Sequence, residues 1–404
     1  DPDGLRLEER LAGFDLVIDA LFGTGLSKRL EGTHSSVVQK INRSGKEVIS
    51  IDVPSGLSSD TGSLPGPAVK ANATIALAAL KYCHLLAPAS KMCGEIHVVD
   101  IGISVDSTTT VVRSGNLLQM LPHRAVDSHK GTYGHAVVIG GSQGKSGAAY
   151  LSGKGALHCG AGLVTVVCPS LIQPVIAAHG PEIMTFPADH PADVTLFLAD
   201  KTAAAIGPGM GAAGDAKPLF EAVLSDFHGP LVIDADGLNH LSKDVTLVKK
   251  RKRSSTILTP HPGEMGRLLN TDTATVQEDR IRAATKLAHT TQSVVVLKGY
   301  RTVVSDPDGK VWVVPTGGQA LASGGTGDVL TGIITGFLSQ GLKPVEAAIA
   351  GAYLHGFTSN LFEARYPQQA MNALDILQWW NDAVHMVRSG KDVESEYLKI
   401  HFKF

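Results

Sequence analysis

Three glycines surround a single carboxylate in the segment ASGGTGDVLTGIITG. Apolar residues recur at helical spacing after Asp328 and stop near Gln340, so this segment begins a helix. Gly324, Gly325 and Gly327 therefore lie at the N-terminus of that helix. Backbone N–H groups there have no partner within the helix and attract an anion, and glycine lets a ligand approach them closely. The segment predicts an oxyanion or phosphate site.

Asp328 conflicts with simple anion binding, because a carboxylate repels a resting phosphate. The residue makes sense if a substrate hydroxyl beside the phosphate must lose its proton. Phosphoryl transfer to an alcohol requires a base for the hydroxyl and hydrogen-bond donors for the charge on the transferred group. An ordinary helix start, where aspartate is favoured for the helix alone, explains Asp328 equally well. The other motifs of the chain have to decide between the two interpretations.

Several of these motifs are rich in glycine and proline. GGSQGKSG departs from a nucleotide-binding P-loop because Ile139 occupies the position of the first glycine, but it stays a candidate for binding a ligand through its backbone. AIGPGMG is a similar candidate, in which Pro208 stiffens the turn. In TPHPGE, two prolines hold His261 on an extended segment, which favours a ligand-facing histidine over a buried one. Lys298, in LKGYRT, could meet phosphate or ribose, or lie along a hairpin edge.

Carboxylates also end several of the predicted strands. Asp234 and Asp236 in VIDADG could organise Mg²⁺-bound water, or they could begin a helix. Asp19 and Asp52 end strands in DALFGTGLSKR and DVPSGL, where Ser55 and the glycine loop could complete an oxygen-lined pocket for a cation and a ligand. Two well-built turns between strand and helix explain the same residues.

The elements that carry these motifs alternate short apolar runs with helical stretches, which indicates a parallel α/β architecture. Ligands of such sheets bind beyond the carboxyl ends of the strands, where nearly all of these motifs lie. The segment RTVVSDPDGKVWVVPT reads as a hairpin with Asp308-Gly309 at its turn. We predict a first domain over 1–112, a connection over 113–127, a second domain over 128–390 and a peripheral charged tail over 391–404.

Composition excludes some classes of function. The 404 residues, 43% of them hydrophobic, are enough for two domains. Lys and Arg number 36 against 38 Asp and Glu, and this net charge of −2 argues against nucleic acid or an anionic membrane as a partner. The four cysteines have no metal-ligand spacing, which favours reduced thiols. No apolar run is long enough to cross a bilayer, and we expect a cytoplasmic protein.

The second block of motifs resembles one family closely, the ADP- or ATP-dependent NAD(P)H-hydrate dehydratases of the ribokinase-like superfamily. The first block resembles the NAD(P)H-hydrate epimerase domain that precedes the dehydratase in fused members of the family. The resemblance implies a three-layer α/β/α ribokinase-like domain after a truncated Rossmann-like α/β domain. It also implies a homo-oligomer, since family members assemble. The motifs that carry it are HKGTYGHAVVIGGSQGKSGAA, AIGPGMG, VIDADGLN, LTPHPGEMGRLL, VLKGYRT and ASGGTGDVLTGIITGFL in the second block, and DALFGTGLSKR and IDVPSGL in the first.

Such enzymes repair NADH or NADPH that has been hydrated at the nicotinamide ring. The resemblance implies that ADP or ATP, with Mg²⁺, phosphorylates the ring hydroxyl of the S form, and that elimination of phosphate restores NAD(P)H. Asp328 would deprotonate the hydroxyl while the amides of 324–327 hold the charge of the phosphoryl group. The epimerase domain would interconvert the R and S hydrates with K⁺ bound. The sequence does not decide between ADP and ATP.

The resemblance also implies individual site residues. The hydrate of the dehydratase would be bound by Ala148, Gly211, His261 and Asp328, of which Asp328 is catalytic. The adenine nucleotide would be bound by Lys298, Gly299, Tyr300, Arg301, Thr302 and Gly327. The epimerase substrate would be bound by Gly23, Thr24, Gly25, Leu26, Ser27, Lys28, Arg29 and Asp52, and potassium by Asp19 and Ser55.

One departure from the family concerns the first block. The family's epimerase domain has an earlier half with an Asn-Asn-Gly-Gly-Asp-Gly loop, and nothing in residues 1–13 matches it. We therefore expect no epimerase activity from this chain unless those residues are restored. Two other functions stay open for the second block: a ribokinase-like vitamin-precursor kinase acting on a small primary alcohol, and a non-catalytic dinucleotide-binding sensor.

Overall fold

The computed structural model describes residues 6–26, 28–211 and 216–403. The chain divides into two compact units: the first runs to Ser107 and resumes at Glu394, and the second spans Thr108 to Val393. Each unit has its own sheet, most of whose strand pairs are parallel, which confirms the α/β class. None of the described helices combines the length and the hydropathy that a bilayer-spanning segment requires.

The first unit is built on a parallel five-stranded sheet with the order β1-β2-β3-β4-β15. Alternate residues of the three central strands are buried, and Val48 packs with Val38 and Ile41 of a neighbouring helix. The strands are β1 (Leu16–Asp19), β2 (Glu47–Ile51), β3 (Ala73–Leu77), β4 (Glu95–Val99) and β15 (Ile400–Lys403). The helices are α1 (Leu7–Ala12), α2 (Gly32–Arg43), α3 (Tyr82–Leu85) and α16 (Val393–Leu398), with a 3₁₀-helix at Ala89–Met92.

The second unit is built on a ten-stranded sheet with the order β5-β14-β13-β12-β11-β10-β9-β6-β7-β8. The pairs β12–β13 and β13–β14 are antiparallel, and all the others are parallel. The strands are β5 (Thr109–Val111), β6 (His135–Ile139), β7 (Leu163–Cys168), β8 (Met184–Pro187), β9 (Ala203–Ile206), β10 (Leu231–Ile233), β11 (Thr256–Leu258), β12 (Val294–Leu297), β13 (Thr302–Ser305) and β14 (Val311–Val314).

Helices cover both faces of this second sheet. Every residue of β9, β10, β11 and β12 is buried, as the continuous apolar runs of these strands require of a three-layer arrangement. The helices are α4 (Ser114–Leu118), α5 (Ser146–Cys159), α6 (Gln173–His179), α7 (Pro191–Leu198), α8 (Ala216–Asp226), α9 (Asp236–Leu241), α10 (Pro262–Leu269), α11 (Thr273–Glu278), α12 (Arg280–Thr291), α13 (Thr326–Ser339), α14 (Pro344–Arg365) and α15 (Ala373–Arg388), with 3₁₀-helices at Lys130–Tyr133, Val245–Lys250 and Gln319–Leu321.

Two local predictions agree with the structure. The segment 301–316 forms the antiparallel pair β13–β14, and the N–H of Gly309 in its turn bonds to the carbonyl of Asp306 at 3.2 Å. The helical pattern after Asp328 corresponds to α13, which ends one residue before Gln340.

The ends of the second unit differ from the predicted boundaries. Within the predicted first domain, Thr109–Val111 forms β5 and pairs with β14 of the second sheet, because its β-branched residues suit an edge strand. The predicted connection contains α4. The predicted peripheral tail forms α16 and β15 instead, and β15 pairs along its whole length with β4 of the first unit.

Helices α5 and α13 approach each other closely because glycines line their contact. A Cβ added to Gly332 would lie 1.9 Å from the carbonyl oxygen of Ser152, and one added to Gly155 would lie 2.5 Å from that of Val329. Since α13 carries Asp328 in its first turn, this contact fixes the position of the predicted base.

We expect Gly332→Ala to destabilise the second unit by about 2 kcal/mol or more, because the added methyl group must push two backbones apart. Urea unfolding followed by circular dichroism measures the change. Gly147→Ala is the matched control: it lies in α5, the other helix of the contact, and its added Cβ would have nothing within 4 Å. That control should keep or slightly raise stability, since alanine favours a helix. Equal unfolding midpoints for Gly332→Ala and the wild type would contradict the close packing.

Candidate active sites

The first turn of α13 presents backbone donors beside Asp328. The first bond along the helix runs from the N–H of Val329 to the carbonyl of Gly325, at 3.2 Å, so the three preceding N–H groups have no partner within the helix. Gly325 has φ +88°, and a Cβ there would lie 2.7 Å from a methyl carbon of Leu151. A Cβ at Gly324 would meet nothing within 4 Å, which leaves the approach to these amides open.

Two buried side chains from neighbouring helices hold this turn in place. The hydroxyl of Ser152 donates to the carbonyl of Asp328 at 2.8 Å. Nε2 of His355 lies 2.9 Å from the carbonyl oxygen of Thr326. Burial lowers the pKa of His355 to about 4, so its ring is neutral and Nε2 carries the proton that this carbonyl accepts. The backbone amides around Asp328 are thereby fixed before any ligand binds.

Asp234, at the carboxyl end of β10, connects three elements of the site. Nζ of Lys298 donates to its Oδ1 at 2.7 Å, and the hydroxyl of Thr331, in α13, donates to its Oδ2 at 2.6 Å. Asp234 is only 1% exposed, so both of its oxygens are committed. Nζ of Lys298 also lies 4.0 Å from Oε2 of Glu264. One ammonium group therefore serves several carboxylates.

The crowding of acids changes the pKa values of the site. Burial, assisted by the charge of Asp234, raises the pKa of Asp328 to about 6, although Lys298 opposes this rise. Burial likewise raises the pKa of Glu264 to about 7. Burial acts against the charge of Lys298, but Asp234 and Glu264 outweigh it and raise the pKa of that lysine. Asp328 is therefore mostly ionised at neutral pH, with a pKa close enough to pH 7 for general-base catalysis.

Two residues predicted to bind the hydrate lie at glycine turns near this cluster. The N–H of Gly211 donates to Oδ2 of Asp236 at 2.8 Å, and the charge of Asp236 acts on Asp328. Ala148 lies in the first turn of α5, where a Cβ added to Gly209 would come within 3.0 Å of its own Cβ. A larger side chain at Gly211 or Ala148 would fill the space between the 207–211 turn and the start of α5.

His261 begins α10 and leaves half of its side chain exposed. The ring Nδ1 of His261 accepts from the backbone N–H of Gly263 at 3.0 Å, and the backbone N–H of His261 donates to Oε2 of Glu264 at 2.8 Å. Burial and the charge of Lys298 lower the pKa of His261, so the ring is neutral. The Nε2 edge, 3.5 Å from Oε1 of Glu264, points toward the same group of charges as Asp328.

The residues predicted to bind the nucleotide fall into two groups. Some lie beside the carboxylates around Lys298, and the others form the 299–302 loop. Lys298 lies in the cluster, and a Cβ at Gly327 would lie 3.5 Å from its Nζ. Tyr300 is 47% exposed, with the guanidinium carbon of Arg301 5.1 Å from its ring centroid, whereas Thr302 begins β13. The guanidinium of Arg301 bonds to the carbonyl of Pro315, and the residue is 8% exposed, so its charge holds the hairpin.

Arg280 organises this loop from beneath. Its guanidinium donates to the carbonyls of Leu297, Tyr300 and Arg301 at 3.1, 2.6 and 3.0 Å. Gly299 has φ +145°, and a Cβ there would lie 3.0 Å from that guanidinium. Glycine is therefore required at this position for the loop to close over Arg280.

The sequence analysis missed three residues of the candidate site around Asp328. Glu264 carried a signal, because its spacing of three from His261 is that of a capping box. Thr331 lies one helical turn after Asp328, which places it near the same face. Arg280 carried no signal, since three carbonyls far along the chain define its role.

In the first unit, Asp19 is buried at the end of β1 among hydrogen-bond donors. Its Oδ1 accepts from the Ser55 hydroxyl at 2.6 Å, and its Oδ2 accepts from the Ser50 hydroxyl at 2.8 Å and the Ser55 N–H at 2.9 Å. The N–H of Phe22 donates to the Ser55 oxygen at 2.9 Å. Among the residues that the structure describes, no lysine or arginine pairs with this carboxylate, although Asp19 is 1% exposed.

Asp52, after β2, is held in an unusual backbone conformation, with φ +65°. Its carboxylate pairs with Nζ of Lys81 and accepts from the N–H of Leu77 at 3.0 Å. His84, whose pKa burial lowers to about 4, bonds through Nε2 to the carbonyl of Asp52 at 2.8 Å. Lys81 was missed in the sequence because 29 residues separate it from Asp52. Non-glycine residues at positive φ concentrate at functional sites.

The predicted epimerase loop extends beyond β1, next to Asp19. The carbonyl of Thr24 accepts from the Ser59 hydroxyl at 2.9 Å. Ser27, which was also predicted, lies outside the described residues. Most of the loop is exposed and therefore open to a ligand; its remaining predicted members are Gly23, Gly25, Leu26, Lys28 and Arg29.

Comparison with known proteins identifies both units. A sequence model of NAD(P)H-hydrate dehydratase matches residues 136–381, and a model of the YjeF-related protein N-terminus matches residues 3–83. The bifunctional NAD(P)H-hydrate repair enzyme Nnr of Moorella thermoacetica is 40% identical over 390 residues, which are 93% of this chain and 73% of that protein. Its namesake from Escherichia coli is 36% identical over 368 residues, 90% of this chain and 70% of that protein.

Solved structures match the second unit. An ADP/ATP-dependent NAD(P)H-hydrate dehydratase from Bacillus subtilis, co-crystallised with ATP/Mg²⁺, has a TM-score of 0.62 and 34% identity; the match covers 68% of this chain and 97% of that one. A ribokinase-like superfamily protein from Enterococcus faecalis shares the fold at 24% identity, with a TM-score of 0.62 over 71% of this chain and 99% of that one. The expected ribokinase-like fold is confirmed.

We expect Asp328→Asn to stabilise the protein at pH 8. The raised pKa means that the folded state disfavours the ionised carboxylate, a cost that is complete above about pH 6 and absent below about pH 4, where the side chain is protonated in both states. At about 1.4 kcal/mol per pKa unit, the gain reaches at most about 3 kcal/mol. Melting temperatures of the variant and the wild type across this range measure it.

Asp382→Asn, at an exposed position of α15, is the control and should change little at any pH. A pH-independent difference between Asp328→Asn and the wild type would contradict the raised pKa.

Proposed function

The chain belongs to the family of bifunctional NAD(P)H-hydrate repair enzymes, and we propose that Asp328 is the base with which its second unit dehydrates the S form of hydrated NADH or NADPH. The observation that carries the proposal is this carboxylate, which burial gives a pKa of about 6 beside the open amides of α13. The vitamin-precursor kinase is less supported, because the family match extends to the epimerase part of the chain. A non-catalytic sensor would have no use for a base with this pKa.

The reaction begins with proton transfer from the ring hydroxyl of the hydrate to Asp328. The hydroxyl oxygen attacks the terminal phosphorus of the nucleotide, and the bond to the leaving ADP, or AMP when ADP is the donor, breaks. The free N–H groups at the start of α13 and the ammonium of Lys298 stabilise the charge on the transferred group. The C–O bond of the ester then breaks, inorganic phosphate leaves with the electron pair, and loss of a proton from the neighbouring ring carbon restores the double bond.

The residues around the base divide between the two reactants. Ala148, Gly211 and His261 bind the hydrate, since they lie at the glycine turns and the strand end that surround Asp328. The nucleotide lies along the loop 298–302 and against Gly327, with the exposed ring of Tyr300 available to stack on the adenine. In this arrangement Lys298 reaches the phosphates. Arg301 contributes by holding the loop through Pro315.

The acidic cluster also fits Mg²⁺. Carboxylates outnumber cations around Lys298, so a bare nucleotide phosphate would be repelled, whereas a hard divalent cation prefers oxygen ligands of this kind. Asp234, Asp236 and Glu264 all accept hydrogen bonds from protein groups, so these carboxylates would hold the ion through its waters. Bound there, Mg²⁺ would neutralise charge on the phosphates. The preference between ADP and ATP stays open.

The first unit corresponds to the epimerase part of the family, and we assign K⁺ to its buried Asp19. The carboxylate has only oxygen and N–H neighbours and no ion-pair partner among the described residues, and an unpaired charge at 1% exposure is costly. The oxygens of Asp19 and Ser55 form a donor set that suits a hard monovalent cation. Asp52 and the 23–29 loop would contact the hydrate beside it.

We place the reaction in the cytoplasm. All four cysteines are free thiols, and none of them is exposed, which suits a reducing compartment. The homo-oligomer expected from the resemblance stays a prediction.

We expect Asp328→Asn to lower kcat for dehydration of the S hydrate by 10²–10⁴-fold, the usual contribution of a general base, with nearly unchanged nucleotide affinity. Recovery of the dihydronicotinamide absorbance, with hydrated NADH and ADP or ATP, measures turnover. In the wild type, kcat/KM should fall as the pH drops below about 6, because the base becomes protonated. Asp382→Asn should behave as the wild type. Undiminished turnover in Asp328→Asn would refute the assignment.

We expect K⁺ to raise the melting temperature of the first unit, relative to tetramethylammonium at equal ionic strength. Binding to the folded state alone adds about 2.7 kcal/mol when K⁺ exceeds its Kd 100-fold. Asp19→Asn, which keeps the shape of the side chain but removes the charge, should abolish the effect. Asp15→Asn, at an exposed position four residues earlier, should keep it. Equal responses of the two variants would contradict the potassium site.

A further inference from the structure

Glu95, His97 and His401 form a cluster in the first unit that the proposed reactions do not use. Glu95 and His97 lie two residues apart on β4, so their side chains lie on the same face of the sheet. His401 lies on β15, paired with His97 in the parallel register. Their imidazole rings stack, with centroids 4.7 Å apart and planes within 15° of parallel. Three potential metal ligands thus meet on one face of two adjacent strands.

The distances between the ligand atoms fit a small metal ion. Oε1 of Glu95 lies 3.2 Å from Nε2 of His97 and 2.8 Å from Nε2 of His401, and one ligand atom from each residue lies within 4.8 Å of the others. A tetrahedral Zn²⁺ ion with bonds of about 2.0–2.1 Å holds its ligand atoms about 3.3 Å apart. The two distances from Oε1 of Glu95 lie within about 0.5 Å of this spacing, and the stacked rings must rotate so that both Nε2 lone pairs meet at the ion.

The contacts of His401 provide a second argument. Its Nδ1 lies 2.6 Å from the hydroxyl of Ser395, and its buried Nε2, 2.8 Å from Oε1 of Glu95, makes no hydrogen bond of good geometry. A hydrogen bond to the other ring nitrogen is the usual support of a metal-binding histidine.

A further feature of the cluster is an unpaired ring nitrogen of His97. Its buried Nδ1 has no hydrogen-bond partner among the described residues. Between 24% and 40% of each of the three side chains is exposed, so an ion from solvent reaches the cluster.

We propose that Glu95, His97 and His401 form a Zn²⁺ site that fastens β15 to β4. Two imidazoles and one carboxylate suit this ion, and three protein ligands leave its fourth position to water. Strands β4 and β15 are separated by the whole second unit in the sequence, so the ion joins the two parts of a discontinuous unit. This site is independent of the proposed function, because it shares no residue with either candidate active site.

Calorimetric titration of the metal-free full chain with Zn²⁺ alone tests the proposal, and Co²⁺ provides an optical probe of tetrahedral coordination. We expect one tight Zn²⁺ per chain, and about 100-fold or greater loss of affinity in His97→Ala, His401→Ala and Glu95→Gln. Ser395→Ala should weaken binding by about 10-fold, because it removes the support of His401. Zn²⁺ should also raise the melting temperature of the wild type but not of Glu95→Gln.

His34→Ala is the matched control, because this histidine is exposed in the same unit and lies outside the cluster. It should bind Zn²⁺ as the wild type does. Glu95→Gln keeps the size of the side chain and both histidines, so a loss of Zn²⁺ affinity in this variant reflects the lost carboxylate and not a disrupted fold. Binding of equal strength in wild type, His401→Ala and Glu95→Gln would overturn the proposal, as would the absence of tight Zn²⁺ binding to the wild type. Dehydratase activity should stay unchanged in all these variants.

Discussion

One ammonium group, that of Lys298, sets the electrostatics of the second unit's site. Asp234 takes its direct hydrogen bond, Glu264 lies 4.0 Å away, and Asp328 shares the same charge. Because one cation cannot stabilise three carboxylates fully, burial raises the pKa values of Glu264 and Asp328 above their ordinary range. This shortage of positive charge makes Asp328 a base of useful strength. It also explains why an anionic nucleotide would need a divalent cation to enter.

The first unit treats its buried carboxylate differently. Asp19 receives hydroxyl and backbone donors in place of an ion pair, while Lys81 is paired with Asp52. The two aspartates end adjacent parallel strands, yet among the described residues only Asp52 has a fixed counter-ion. A mobile cation at Asp19 would complete the charge balance of this sheet edge. The two units thus share the position of their sites, at strand ends, but differ in how they neutralise charge.

Local patterns predicted most of the fold and singled out Asp328 as the candidate base of the second unit. The α/β class, the hairpin and the helix after Asp328 follow from spacing along short segments, and the glycines around Asp328 marked it for the same reason. Thr331, Arg280 and Lys81 were missed because distant partners define them: Thr331 bonds to Asp234 across 97 residues. Glu264 was missed although its capping-box spacing from His261 was visible. The strands β5 and β15 were missed because each is short and depends on pairing with a strand far along the chain.

The pairing of β4 with β15 makes the first unit discontinuous, and this affects the order of folding. The ribosome synthesises the entire second unit before β15. Until then the first sheet lacks its last strand, and the edge of β4 is unpaired. Bringing the two strands together from an extended chain would close a loop of several hundred residues. Once the second unit has folded, however, its two ends are joined, with the Ser114 hydroxyl 3.2 Å from the carbonyl oxygen of Lys391. The remaining closure is then short, and the entropy lost on docking β15 falls accordingly.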